Sequence, residues 1–218
     1  MISWVLNYTE FNSWKGGMIW MLKLRRGCSV PYPEKLLEGY AYKAPYFTAN
    51  VNADKIERLL AYFIQIHKEP IFFILELPSK QEDETEICPG VVESFHRDVY
   101  YIDGCTQEEA LEILSRAANL MINDGLCSFG FGCHQSHDEI MVGKYNIVSI
   151  YTQNKNAFDG FFEEHEIPFV ENLMTAWDTF TQDMPGTASR VDTDGKSVYD
   201  IPNMFQDLGI YIAERREG

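Results

Sequence analysis

Apolar residues recur every three or four positions in two stretches of the chain, and each stretch reads as an amphipathic helix. In the first, Ile56, Leu59, Leu60, Phe63 and Ile64 share one face, with Asn52 placed to cap the start. In the second, Ala110, Leu111, Leu114, Ala117, Ala118 and Met121 line one face. That stretch opens on Thr106 and Glu109, the Ser/Thr-x-x-Glu pattern in which a hydroxyl and a carboxylate each satisfy an end N–H, and Gly125 suits its stop. Pro168 in a first-turn position predicts a further helix through Phe169, Val170, Leu173, Met174, Trp177 and Phe180. A shorter helix around Phe161 to Glu164 precedes it.

Other stretches read as strands. Ile71 to Leu75 is continuously apolar and predicts a strand covered on both faces. Met18 to Leu24, Val99 to Ile102 and Ile210 to Ala213 are shorter candidates. Cys127 to Cys133 alternates bulky with small residues, and Glu139 to Tyr151 follows as a strand with Gly143 as a bulge or bend, so the two predict a hairpin. Asp194-Gly195 predicts a second hairpin, between Ser189–Val191 and Ser197–Tyr199. Pro202 to Leu208 reads as one helical turn, and Ser79 to Gly90 as an acidic loop. Strands and helices do not alternate strictly, which predicts an α+β fold: a mainly antiparallel or mixed sheet with helices packed on it. A length of 218 residues suits one domain, residues 1–218, with the aromatic stretch 1–50 as a candidate subdomain.

Composition narrows the class. A 45% hydrophobic and 14% aromatic chain has the material for an ordered core and is unlike a disordered one. Five widely spaced cysteines do not resemble a secreted disulfide framework, so reduced thiols and a cytoplasmic location are expected. The stretch Met1 to Tyr8 lacks a basic start and a long apolar run, and no secretory leader is expected. No stretch approaches the ~20 apolar residues of a membrane span.

Charge changes the picture most. The net charge is −15, which repels nucleic acid and anionic lipid and raises the encounter rate with basic partners. It is unevenly spread. Residues 1–75 carry nine Lys/Arg against six Asp/Glu, a net of +3; residues 76–218 carry nine against 27, a net of −18. The acidic character belongs to the last two-thirds.

The densest group of reactive side chains is Cys127, Cys133, His134, His137, Asp138 and Glu139. Cys133, His134 and His137 lack the paired spacing of zinc sites, and adjacent strand residues point to opposite faces, so no metal is expected. A thiol paired with His137, or a carboxylate site in the Cys127 to Glu139 region, would suit a hydrolase, a competing reading; the thiol version needs a lowered thiol pKa. Gly130-Phe131-Gly132 is too short for a dinucleotide fingerprint. Asp192 to Gly195 resembles the start of a calcium loop, but its glycine comes too early and Tyr199 and Ile201 stand where acids are needed. No catalytic residue and no cofactor is assigned.

Phe129-Gly130-Phe131-Gly132-Cys133-His134, then Asp138-Glu139-Ile140 and Lys144-Tyr145-Asn146-Ile147-Val148, resembles hairpins of bacterial immunity proteins, the cytosolic antidotes to polymorphic and contact-dependent toxins. The resemblance spans Phe129 to Ile150. It implies a non-enzymatic acidic protein that binds one cognate toxin domain, often a basic nuclease, and blocks it. An interaction module without inhibitory role is the third reading. The charge distribution predicts that a basic protein partner docks on Glu82, Asp83, Glu84, Glu86, Asp138, Glu139, Glu163 and Glu164, with neither nucleic acid nor membrane as partner.

Overall fold

The computed structural model describes the backbone of residues 13–14, 17–18, 21–78, 84–88, 91–94 and 96–217, and the side chains of 21–78 and 96–216. The first half contains β1 (Ser13–Trp14), β2 (Gly17–Met18), β3 (Cys28–Ser29), β4 (Gly39–Lys43), β5 (Tyr46–Asn50), α1 (Ala53–Ile66), β6 (Ile71–Pro78), β7 (Glu84–Cys88), β8 (Val91–Ser94) and β9 (His96–Cys105). The second half contains α2 (Gln107–Asn123), β10 (Ser128–Cys133), β11 (Glu139–Val142), β12 (Ile147–Tyr151), α3 (Asp159–Glu164), β13 (Thr187–Ala188), α4 (Ile201–Met204) and β14 (Tyr211–Glu217). Eight strands form one antiparallel sheet in the order β14-β9-β6-β10-β11-β12-β5-β4. A smaller sheet, β3-β13-β8-β7, contains one parallel pairing, Ala188 with Val91. The fold is α+β.

Side-chain alternation sets the layers. Phe47 and Ala49, Phe73 and Leu75, Phe129 and Phe131, Ile140 and Val142, and Val148 and Ile150 project from neighbouring strands to one face and are fully buried. Leu59, Leu60 and Phe63 of α1 and Ile113, Leu114, Ala117 and Met121 of α2 join the same core. Full burial of each such side chain stabilises the fold by about 1.5–3 kcal/mol, and a one-residue slip would turn a whole strand's set to the other face. The Thr106–Glu109 capping box is formed, with Thr106 N donating to Glu109 Oε2 at 2.8 Å.

A second apolar cluster holds Leu22, Cys28, Val30, Leu36, Leu126, Tyr145, Ala176 and Ala188. There Gly27 and Gly125 meet backbone to backbone: a Cβ on Gly125 would lie 2.1 Å from the Gly27 carbonyl oxygen. Gly125 therefore serves close approach, and the C-terminus of α2 is closed at Asp124.

Five segments differ from the pattern read in sequence. Glu139 to Tyr151 is two antiparallel strands, because the chain reverses at Tyr145 and Asn146, both left-handed at φ 58° and 62°. Asn146 holds that reversal by donating from its amide to Lys23 O and Val51 O and accepting from Arg25 N. Asp194 and Gly195 make the expected turn, with φ of 52° and 73°, but only Thr193 and Lys196 bridge across it; Ser197 instead caps a 3-10 turn. Within Ser79 to Gly90, residues Glu84 to Cys88 form a strand paired with β8. Of Met18 to Leu24, Met18 lies in β2, Ile19 and Trp20 lie outside the described residues, and Met21 makes a lone bridge to Leu37. No α-helix follows Pro168: the segment lies in irregular backbone with one 3-10 turn, Ala176–Thr179.

Candidate functional site

The reactive cluster between Cys127 and Glu139 does not assemble into one site. Cys127 is fully buried, with Sγ donating to Met121 O at 3.4 Å, and burial reinforced by the nearby Asp124 charge pushes its thiol well above the ordinary range. Cys133 is buried too, its Sγ donating to Lys68 O at 3.2 Å. His137 is exposed on the β10–β11 turn at φ 59°, and His134 is exposed and pairs with Asp103 at 3.4 Å. A catalytic thiol needs an imidazole or helix N-terminus that lowers its pKa; the environment of Cys127 acts in the opposite sense. Among the described residues no three His, Cys, Asp or Glu side chains are grouped to hold a metal ion.

Asp138 lies inside the fold, 7% exposed. Its Oδ2 accepts from Thr152 Oγ1 at 3.0 Å and lies 2.8 Å from His67 Nε2. This pairing leaves no local trace in the sequence, because His67 stands 71 residues away. Asp138 thus ties the β10–β11 turn to the end of α1 and is withdrawn from any docking surface. Glu139 is half-buried on β11; burial and then the Glu76 charge raise its carboxyl, against the opposing effect of Arg216. Glu84 and Glu86 lie on β7, and Glu82 and Asp83 fall outside the described residues. Glu163 and Glu164 are exposed on α3.

Those last two open a longer acidic segment. From Asn156 to Ser189 the chain contains no Lys or Arg and seven carboxylates: Asp159, Glu163, Glu164, Glu166, Glu171, Asp178 and Asp183. All but the partly buried Asp159 are exposed. Within this strap, Phe169, Met174, Trp177 and Met184 are 57%, 44%, 55% and 43% exposed. Specific contacts hold its backbone. Tyr40 N donates to Pro168 O at 2.9 Å, and Val170 N donates back to Tyr40 O at 2.7 Å. The buried Asn50 amide donates to both Leu37 O and Met174 O, at 3.1 and 2.8 Å. Asp178 accepts from Thr175 N and Oγ1 at 2.7 and 2.9 Å, and these bonds lower its carboxyl pKa. Lys55 reaches the strap at His165 O but is already paired with Glu38 at 2.6 Å. The arrangement presents negative charge and large apolar side chains together on an ordered surface.

The signal was present in the sequence as the 34-residue gap in Lys and Arg, but the helical spacing after Pro168 placed Met174 and Trp177 on a helix. The structure instead buries Ala176 and turns Trp177 outward.

A cleft of about 720 Å³ lies elsewhere, between the Pro78 end of β6 and residues 190–203, with Asp98, Tyr100, Tyr199 and Asp200 on its walls. Cys133 pairs with Ile71 at the other end of β6, so the cleft and the reactive cluster are separated by the length of that strand, about 20 Å. No helix among the described residues is long and apolar enough to cross a membrane. Comparison with protein-family models, with curated proteins and with solved structures returned no match.

Proposed function

We propose that this chain is a cytosolic, non-catalytic capture protein of the immunity type, which binds a basic toxin domain and blocks it. The observation that carries the reading is the strap from Asn156 to Ser189, with seven carboxylates, no Lys or Arg and four exposed large apolar side chains. A field of one sign steers an oppositely charged partner and raises association rates by about 10–1000-fold. Exposed aromatic anchors then hold the encounter complex, since Trp and Tyr dominate the binding energy of interfaces. The burial of Cys127 and Cys133 away from the exposed His137 weighs against the thiol-hydrolase reading.

The test is co-expression with the product of a neighbouring gene, which the reading expects to encode a basic domain. The reading expects that domain to arrest growth alone, to be tolerated with this chain present, and to co-purify with it. Growth arrest unaffected by this chain, with no complex recovered, would overturn the proposal.

A further inference from the structure

The strap's exposed apolar side chains stand over a structured floor. Trp177 lies edge-on to Tyr145, at 5.1 Å and 88°, and to Phe180, at 5.3 Å and 70°. Both of those rings belong to the second apolar cluster, which also buries Ala176 and Leu36 beneath. Leu37 and Met174 are drawn together because the Asn50 amide bonds both of their carbonyls. Leu37 in turn bridges Met21, and Tyr32 donates its hydroxyl to Met184 Sδ at 3.5 Å. Met21, Leu37, Met174, Trp177 and Met184 are all more than a third exposed. Single exposed apolar residues are ordinary, but several that are tied by such contacts to a packed floor mark a candidate interaction surface. Flexible thioethers on the same segment as a rigid, ring-supported indole suit a site that remoulds around an inserted side chain.

Charge decides the occupant. Asp178 follows Trp177 directly, Asp183 precedes Met184, and Glu171 lies three residues before Met174, all exposed; the basic Lys23 and Lys35 stand on the Met21 and Tyr32 side, where Lys23 pairs with Asp54 at 3.2 Å and Lys35 lies over the Tyr32 ring at 4.1 Å. A second copy of this chain would bring these acids face to face, and an anionic lipid surface would meet the same repulsion. Resting on the capture reading, we propose that this basin receives one aromatic or long aliphatic side chain from a basic protein surface, with Lys or Arg on either side of it meeting Glu171, Asp178 and Asp183. The basin supplies the anchor, and the acids supply the approach and the register.

Three synthetic twelve-residue peptides test it: one rich in Lys and Arg with a central Phe, the same with Ser for Phe, and a Glu-rich version with the Phe. Binding is read from titration of the full chain, with the Trp177 indole resonance as the reporter of place. The Phe-containing basic peptide should bind about tenfold tighter than its Ser counterpart, the worth of burying one ring. Trp177→Ala and Met174→Asp should each erase that difference while leaving the Ser peptide's affinity unchanged; two variants guard against a folding defect in either. Equal affinity of the two basic peptides, or a Phe advantage that survives both variants, would overturn the basin and leave capture by charge intact. A Glu-rich peptide that binds as tightly as the basic one would overturn the capture reading as well. A homodimer in sedimentation that dissociates on Trp177→Ala would overturn the basic occupant in favour of a second copy.

Discussion

His67 faces a carbonyl with one ring nitrogen and a carboxylate with the other. Phe63 O, 2.7 Å from Nδ1, can only accept, so Nδ1 donates to it, and Nε2 lies 2.8 Å from Asp138 Oδ2. Removing one partner of such a buried pair strands the other. His67→Ala should cost about 3 kcal/mol in urea unfolding, whereas Asp138→Asn, which keeps an amide donor for the ring, should cost about 1 kcal/mol. Equal losses would show that packing, not the pair, holds the turn. The cysteines set a second expectation. Burial, followed by the charges of Glu109 and Asp103, pushes the Cys105 thiol up to about 11, whereas an unfolded thiol ionises near 8.5. Between those values the unfolded chain has lost a proton that the native one retains, so stability falls as pH rises from about 8.5 to 11. Cys127, raised in the same direction, adds to that slope. In Cys105→Ala the decline over this window should be shallower than in the parent; an unchanged slope would contradict the assignment.

At the scale of elements, legibility followed whether one segment served one core. The helices α1 and α2 were readable because each buries a single stripe: Ile56, Leu59, Leu60, Phe63 and Ile64 in one, Ala110, Leu114, Ala117, Ala118 and Met121 in the other. The segment after Pro168 divides its apolar residues three ways. Phe169 bridges β4, Ala176 and Phe180 pack into the second cluster, and Met174 and Trp177 face outward. A helical spacing that serves three destinations is not an amphipathic face, and a tertiary donor such as the Asn50 amide leaves no local trace. Glu139 to Tyr151 was opaque for a related reason: Asn146 sustains its left-handed backbone through bonds to residues 95 and 123 positions away. Gly125 shows the same limit, since its spacing suited a helix stop while its role is contact with Gly27. Gly125→Ala should cost about 3 kcal/mol, with the loss concentrated in hydrogen-exchange protection of β3 and β13. Protection that weakens uniformly, or not at all, would contradict that role.

The whole molecule joins an eight-stranded sheet, covered on one face by α1 and α2, to an acidic strap crossing the β4 edge and the second cluster. The charge asymmetry between residues 1–75 and 76–218 was legible from the first count of residues. Its concentration on one ordered segment was legible only in part: Glu163 and Glu164 were singled out, whereas Glu171, Asp178 and Asp183 emerged with the strap. The central claim is that this segment steers a basic partner. Its most direct test is the stopped-flow association rate with the Lys- and Arg-rich, Phe-containing peptide, at 50 and 300 mM salt. Glu171→Lys combined with Asp183→Lys should slow association about tenfold at low salt and flatten its salt dependence. Glu108→Lys, exposed at the start of α2, should change it far less. Equal rates and equal salt slopes for all three proteins would contradict the account.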